Sequence, residues 1–152
     1  MTVIIDGNRD GYASVDGPAF SAYASTPTNT ASNVPTKLVF ATEEFDTNNN
    51  YDTGSSRFTP TVAGYYQING AVNSGGYYQY TNIIIYKNGT AYKNGVSFYN
   101  NAGSMVNVSS LVYLNGSTDY VELYWVQASG ATVNSATGII NTYFNGALVR
   151  RA

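Results

Sequence analysis

The chain has 152 residues, of which only 11% are charged, and its formal net charge is −2. This length suits one domain with a substantial core, while seven scattered Lys and Arg residues do not form the basic face of a nucleic-acid-binding protein. No apolar run reaches the roughly 18 residues that a membrane-spanning helix needs.

Histidine and cysteine are both absent. Disulfides and thiolate metal sites are therefore excluded, and the commonest general base and metal ligand is missing. The chain is instead rich in Tyr, Gly, Asn, Thr and Ser, with 15 Tyr against six Phe, which is typical of β-strands joined by tight turns. We expect a protein that is not an enzyme and needs no cofactor or metal.

The first segment predicts an extended N-terminal arm, residues 1–17, followed by one domain over residues 18–152. Three Asp-Gly pairs give the arm its turn signals, and the start of the chain lacks the basic and apolar regions of a signal peptide. The arm also holds three consecutive apolar residues, Val3, Ile4 and Ile5. Because such a run is unfavourable in water, we predict that these residues contact another protein.

Nine short segments of alternating apolar and polar residues follow the arm, and turn residues bound each of them. The predicted strands are Ala19–Ala24, Lys37–Thr42, Arg57–Val62, Tyr65–Asn73, Asn82–Lys87, Ala91–Phe98, Met105–Leu114, Asp119–Ala128 and Ile139–Arg150. Short strands at regular spacing predict an all-β protein, an antiparallel β-sandwich essentially without helix.

Asn-Gly pairs mark the predicted tight turns. Asn88-Gly89 separates two apolar runs and predicts a two-residue hairpin. Asn115-Gly116 predicts a second turn, and Asn94-Gly95 predicts a third.

The alternation within strands predicts which side chains enter the core. Val121, Leu123 and Trp125 share one face, which we assign to the core, and Glu122 lies on the other. In the last strand both faces are only weakly polar, so we expect one face to be covered by the core and the other by a neighbouring subunit.

Spaced landmarks resemble the C1q/TNF-like jelly-roll family over roughly Pro18 to Val149. The landmarks are Phe45-Asp46, Asn50-Tyr51-Asp52, Phe58, Pro60, Gly64, Tyr66 and the closing Tyr143-Phe144-Asn145-Gly146-Ala147-Leu148. The chain departs from the usual Pro-Gly of animal members at Ala63-Gly64, and no collagen repeat precedes the domain. The resemblance implies a homotrimer, and we predict that Tyr66, Tyr143 and Ala147 lie at its subunit interface.

The Asn- and Thr-rich segments RFTPTVAGYYQ and YFNGALVR are similar to C1q-like proteins of tailed bacteriophages. This resemblance implies a structural virion protein, made in the host cytoplasm, that decorates and braces the capsid as a trimeric cement protein. Its partner would be the major capsid protein, contacted through Val3, Ile4 and Ile5. The alternative is a trimeric fibre-tip module that recognises a host-surface glycan or receptor. Only about 17 residues precede the Pro18 landmark, which favours an arm over a fibre shaft.

Two further segments admit more than one interpretation. Asp46, Asn48, Asn50 and Asp52 alternate like a calcium loop, but Tyr51 and Arg57 occupy positions where such a loop needs Gly and Glu, which favours a turn built on Asn and Asp side chains. The Tyr-rich segment from Gly75 to Tyr80 fits either a sugar-binding loop or a loop packed on a neighbouring subunit.

Overall fold

The computed structural model describes residues 17–74, 77–102 and 105–152. The predicted contact residues Val3, Ile4 and Ile5 lie outside this range. Within the described residues the regular structure is entirely β, and no helix there could cross a membrane. The prediction of an all-β protein is confirmed.

Thirteen strands occur in the described part of the chain. They are β1 (Ala19–Tyr23), β2 (Asn29–Thr30), β3 (Thr36–Lys37), β4 (Thr42–Asp46), β5 (Tyr51–Asp52), β6 (Arg57–Phe58), β7 (Ala63–Asn73), β8 (Tyr77–Lys87), β9 (Thr90–Ala102), β10 (Met105–Asn115), β11 (Val121–Ala128), β12 (Val133–Asn134) and β13 (Tyr143–Arg151). All the pairings between them are antiparallel.

Two sheets form the sandwich. The five-stranded sheet has the order β10-β7-β13-β1-β4, and the six-stranded sheet has the order β5-β6-β11-β8-β9 with β3 paired to β11. Strands β2 and β12 form a small separate pair. Neighbours that are distant in sequence, such as β13 between β7 and β1, are typical of a jelly roll.

The core lies between the two sheets and is rich in aromatic rings. Phe20 stacks on Phe58 at a centroid distance of 4.3 Å and meets Phe144 edge-on at 4.8 Å. Val121, Leu123 and Trp125 are all fully buried, so the predicted core face of β11 is confirmed. Such burial of large apolar side chains supplies the main driving force for folding.

Two of the three predicted Asn-Gly turns are confirmed. Asn88 and Gly89 both have positive φ, 53° and 76°, as a two-residue hairpin of the favoured twist requires. Gly116 also has positive φ, 72°. The prediction of a turn at Asn94-Gly95 is wrong, because both residues continue β9.

The need for glycine at position 95 comes from a close approach between β9 and β10. A Cβ atom on Gly95 would lie 2.3 Å from the carbonyl oxygen of Asn107. Glycine therefore lets the last strands of the two sheets come together along this side of the sandwich.

Several predicted strands have different bounds in the structure; the predicted strand Arg57–Val62, for example, ends at Phe58, and Asn82–Lys87 is part of the longer β8. The segment Lys37–Thr42 is divided between β3 and β4, and Leu38 and Phe40 between them are fully buried. The Leu38 N–H donates to the Leu123 carbonyl, and the Phe40 N–H donates to the Ser56 hydroxyl. Burial of these two apolar side chains therefore outweighs regular strand pairing between β3 and β4. The last strand begins at Tyr143 instead of Ile139, because a turn starting at Gly138, with φ of 99°, precedes it.

Both ends of the described domain lie at one end of the sandwich, here called the terminal end. The Leu148 N–H binds the Pro18 carbonyl at 2.9 Å, and the Ala152 N–H binds the Ala63 carbonyl at 3.1 Å. The turn at Gly116 packs against Ala63 at the same end. Gly17, the first described residue, lies against Leu148 at the terminal end.

Candidate functional site: the outer face of the five-stranded sheet

The outer face of the five-stranded sheet is the candidate site, and we call it the assembly face. It arises from strand alternation, because Gly64, Tyr66 and Ile68 of β7 point into the core and the residues between them point outward. The side chains of the assembly face on β7, β10 and β13 are Tyr65, Gln67, Asn69, Asn107, Ser109, Leu111, Tyr113, Tyr143, Asn145, Ala147 and Val149.

An amide and hydroxyl network occupies the centre of the assembly face. The Asn69 Nδ2 donates to Asn145 Oδ1 at 3.0 Å, and the Ser109 hydroxyl donates to Asn69 Oδ1 at 2.8 Å. Gln67 Nε2 donates to the Ser109 hydroxyl at 2.9 Å and to Asn69 Oδ1 at 3.2 Å. Because these side chains bind one another across three strands, their positions are set before any partner arrives.

An apolar patch lies beside this network, toward the terminal end. Tyr65, Leu111, Tyr113 and Val149 are 42%, 51%, 41% and 51% exposed, and the two tyrosine rings are 5.5 Å apart. A surface cavity of about 580 Å³ opens at this patch. It is lined by Tyr65, Leu111 and Val149 together with Arg150, Arg151 and Ala152. Clustered exposure of large side chains is typical of surfaces that bind another protein.

On β7, β10 and β13 the assembly face is nearly free of charge, whereas on β4 Glu44 lies on this face and accepts a hydrogen bond from the Ser21 hydroxyl at 2.7 Å. Strands β7 and β10 contain no charged residue, and β13 contains only Arg150 and Arg151 at its terminal end. Charged groups are costly to bury unless they are paired. A surface without them can be covered by a second copy of itself at little electrostatic cost.

The structure places two of the three predicted interface residues on this face. Tyr143 is half-buried and Ala147 is exposed, both on the outward side of β13. Tyr66 instead lies in the core, fully buried, where its hydroxyl donates to the Val62 carbonyl at 2.7 Å and burial raises its pKa to about 12. Its side chain has no surface left for a neighbour, so the prediction for Tyr66 is corrected.

The acidic loop that resembles a calcium site is a pair of turns. Asp46 accepts hydrogen bonds from the N–H groups of Asn48 and Tyr51, at 3.2 and 2.6 Å. Asp52 accepts from the Gly54 N–H at 2.9 Å and from the Ser55 hydroxyl at 2.6 Å. These bonds hold the pKa of Asp52 below its usual value, and the interpretation as local turns is confirmed.

The six-stranded sheet carries an ion cluster around the buried Glu122, which the sequence did not predict. Alternation places Glu122 on the outer face as expected, yet its side chain is only 3% exposed. Both Arg57 Nε and Nη2 bind Glu122 Oε1, at 3.1 and 3.0 Å, and Lys37 Nζ lies 3.3 Å from the same oxygen. The Arg57 guanidinium also lies 3.7 Å from the centre of the Tyr120 ring. Three separate chain segments build this cluster, so no local signal could have found it.

Comparison with known proteins identifies the fold. No protein-family model matches the chain, and no curated protein sequence matches it. Among solved structures, the globular domain of zebrafish complement 1qA protein is 17% identical over 90% of this chain and 100% of that one, with a TM-score of 0.67.

Two further structures are similar in the same way. Murine APRIL at pH 8.0 is 9% identical, with 87% of this chain and 98% of that chain covered and a TM-score of 0.70. PRD1 vertex protein P5 is 18% identical, with 88% and 98% covered and a TM-score of 0.66. The chain therefore has the C1q/TNF-like jelly-roll fold, and none of these three neighbours is described as an enzyme.

Proposed function

We propose that the protein is a structural virion protein of a tailed bacteriophage, a homotrimer that decorates and braces the capsid lattice. The observation that carries the trimer is the assembly face, where an ordered polar centre and an exposed apolar patch lie side by side on strands with few charged residues. The similarity in fold to a vertex protein of PRD1 supports a place in the virion, as does the resemblance of the sequence to C1q-like phage proteins.

The dimensions of the assembly face suit contact with neighbouring copies. Five strands spaced about 4.8 Å apart, which span from about 17 Å for β1 and β4 to about 36 Å for β7 and β10, give a face of about 650 Å². A stable interface buries about 800 Å² per partner, so the whole face is needed. In a three-fold assembly Tyr143 and Ala147 would contact the adjacent subunits, as the sequence predicts.

Attachment to the capsid is assigned to the arm, residues 1–17. The domain begins at the terminal end of the sandwich, so a trimer would present three arms from one end. An extended segment can pair with an exposed sheet edge of a capsid protein, with Val3, Ile4 and Ile5 as the apolar contact. Three linked contacts reinforce one another through a high effective concentration.

The trimer is tested by the molar mass in solution. Light scattering should give three times the 16.3 kDa chain mass at micromolar concentration. Leu111→Arg adds a charge to the apolar patch and should shift the mass to that of the monomer, whereas Ile140→Arg, at a loop residue that is 78% exposed, should not. A monomeric or dimeric wild type would contradict the trimer.

The virion role is tested by binding to capsids. The full chain should co-sediment with phage capsids, and a variant lacking Met1–Gly17 should remain trimeric and fail to do so. If the truncated protein still coats capsids, the role of the arm is wrong. If the wild type binds host cells and ignores capsids, the fibre-tip function replaces the cement function.

A further inference from the structure

The outer face of the six-stranded sheet carries a second organised surface, here called the outer strip. Its members alternate with core residues on β8 and β11 and extend onto β9. They are Tyr80, Asn82, Ile84, Tyr86, Asn94, Ser97, Tyr99, Tyr124 and Val126. None of these residues is charged.

Two tyrosine pairs lie toward the two ends of the outer strip. Tyr86 and Tyr124 stack with ring centres 3.7 Å apart, and Tyr80 and Tyr99 form a tilted pair 5.1 Å apart. Tyr80 and Tyr86 are six residues apart on one strand, a span of about 20 Å at 3.3 Å per residue. Tyr99 is 70% exposed, so one ring of the second pair is open to a ligand.

Two amide side chains and the nearly buried Ile84 occupy the space between the two tyrosine pairs. Asn82 is only 4% exposed, and its Nδ2 donates to Asn94 Oδ1 at 3.2 Å. Its Oδ1 is buried and has no hydrogen-bond partner among the described residues. A buried acceptor without a donor is costly, and a ligand hydroxyl that reaches it through a shift of the exposed Asn94 side chain would satisfy it.

We propose that the outer strip binds a neutral oligosaccharide. Sugar rings present C–H faces that pack on aromatic rings and hydroxyl groups that bind amides, and sites for small ligands combine these two features. The absence of charge argues against an anionic ligand. Two charged residues lie in register beside the outer strip, Glu122 opposite Tyr86 and Lys37 opposite Tyr124, and they are paired with each other. Arg57 pairs with the same Glu122 carboxylate.

The proposal does not depend on the assembly face or on the virion role. The outer strip lies on the opposite sheet, so it is accessible in a monomer and in a trimer alike. Three copies in a trimer would raise the avidity for a polymeric glycan without any new contact.

Isothermal titration of the full-length protein tests the proposal. The probes are neutral hexasaccharides of glucose, mannose, galactose and N-acetylglucosamine, with a heparin hexasaccharide as the anionic comparison. At least one neutral probe should bind and the heparin probe should not. Tyr99→Ala should weaken binding roughly three- to tenfold, as the loss of one aromatic contact predicts, and Tyr99→Phe should retain it.

Two further variants separate binding from folding. Asn94→Ala should weaken binding of the same probe, and Ile140→Ala, a change at an exposed loop residue, should leave it unchanged. Tyr99→Ala and Ile140→Ala should keep the wild-type midpoint of thermal unfolding, whereas Asn94→Ala removes the acceptor of Asn82 Nδ2 and should lower the midpoint slightly. The proposal is overturned if no neutral probe binds, if only heparin binds, or if Tyr99→Ala binds like the wild type. Loss of a protein partner in Tyr99→Ala without any sugar binding would assign the outer strip to protein recognition instead.

Discussion

Asp119 connects the turn at Asn88 with the turn at Asn115 at the terminal end of the sandwich. Replacing its carboxylate should lower the stability of the fold by a measurable amount. Its carboxylate accepts from Asn88 Nδ2 at 2.7 Å and from the Asn115 N–H at 3.2 Å, and it pairs with Lys87 Nζ at 2.9 Å. A hydrogen bond to a charged group contributes about 1.5–3 kcal/mol. The amide in Asp119→Asn keeps one acceptor, and Lys87 is 20% exposed to water. We therefore expect the free energy of unfolding to fall by about 1–2 kcal/mol near neutral pH.

The effect of Asp119→Asn should depend on pH. The hydrogen bond from Asn88 and the nearby Lys87 hold the pKa of Asp119 below its usual value of 3.8. A lowered pKa stabilises the fold above about pH 4, and this contribution is lost as the pH falls through the lowered value. The deficit of the variant should therefore be largest near neutral pH and shrink in strong acid.

Urea denaturation followed by Trp125 fluorescence measures this difference. Protein concentration must be equal for all samples, because the stability of an oligomer depends on it. Glu43→Gln, at an exposed carboxylate on β4, is the matched control and should change stability little. An equal deficit for Asp119→Asn at neutral and acid pH, or no deficit at all, would refute the role given to its charge.

Three other substitutions test the packing by urea denaturation. Gly95→Ala should cost about 1–3 kcal/mol, because its Cβ would meet the Asn107 carbonyl; wild-type stability would disprove the close approach. Burial raises the pKa of Tyr66 from 10.0 to about 12. The free energy of unfolding should therefore fall as the pH rises from about 10 to 12, because the unfolded chain loses the Tyr66 proton first. Tyr66→Phe should reduce this fall. Glu122→Gln should cost about 1–3 kcal/mol, less than for a fully buried pair, because Lys37 and Arg57 are about one-third exposed; a gain would show that desolvation dominates.

The features that could be predicted from the sequence are those that depend on residues close together in the chain. Alternation predicted the all-β fold and the core face of β11, and the left-handed preference of Asn-Gly predicted the turns at Asn88 and Asn115. Spaced landmarks also pointed to the C1q/TNF-like fold, which the solved structures confirm. Each of these signals lies within one short segment or in the order of such segments.

Tertiary structure decided the features that join residues distant in the chain. Gly95 lies within β9, at a point where β10 approaches it closely. Tyr66 enters the core because its side of β7 faces the six-stranded sheet. The network of Asn69 and Asn145 joins residues 76 positions apart, and Glu122 meets Arg57 across 65 positions. The period of a strand shows on which face of the sheet a side chain lies. Which side chains it contacts on that face depends on the pairing of strands. That pairing depends on the packing of the whole chain, so the sequence pattern alone does not show it.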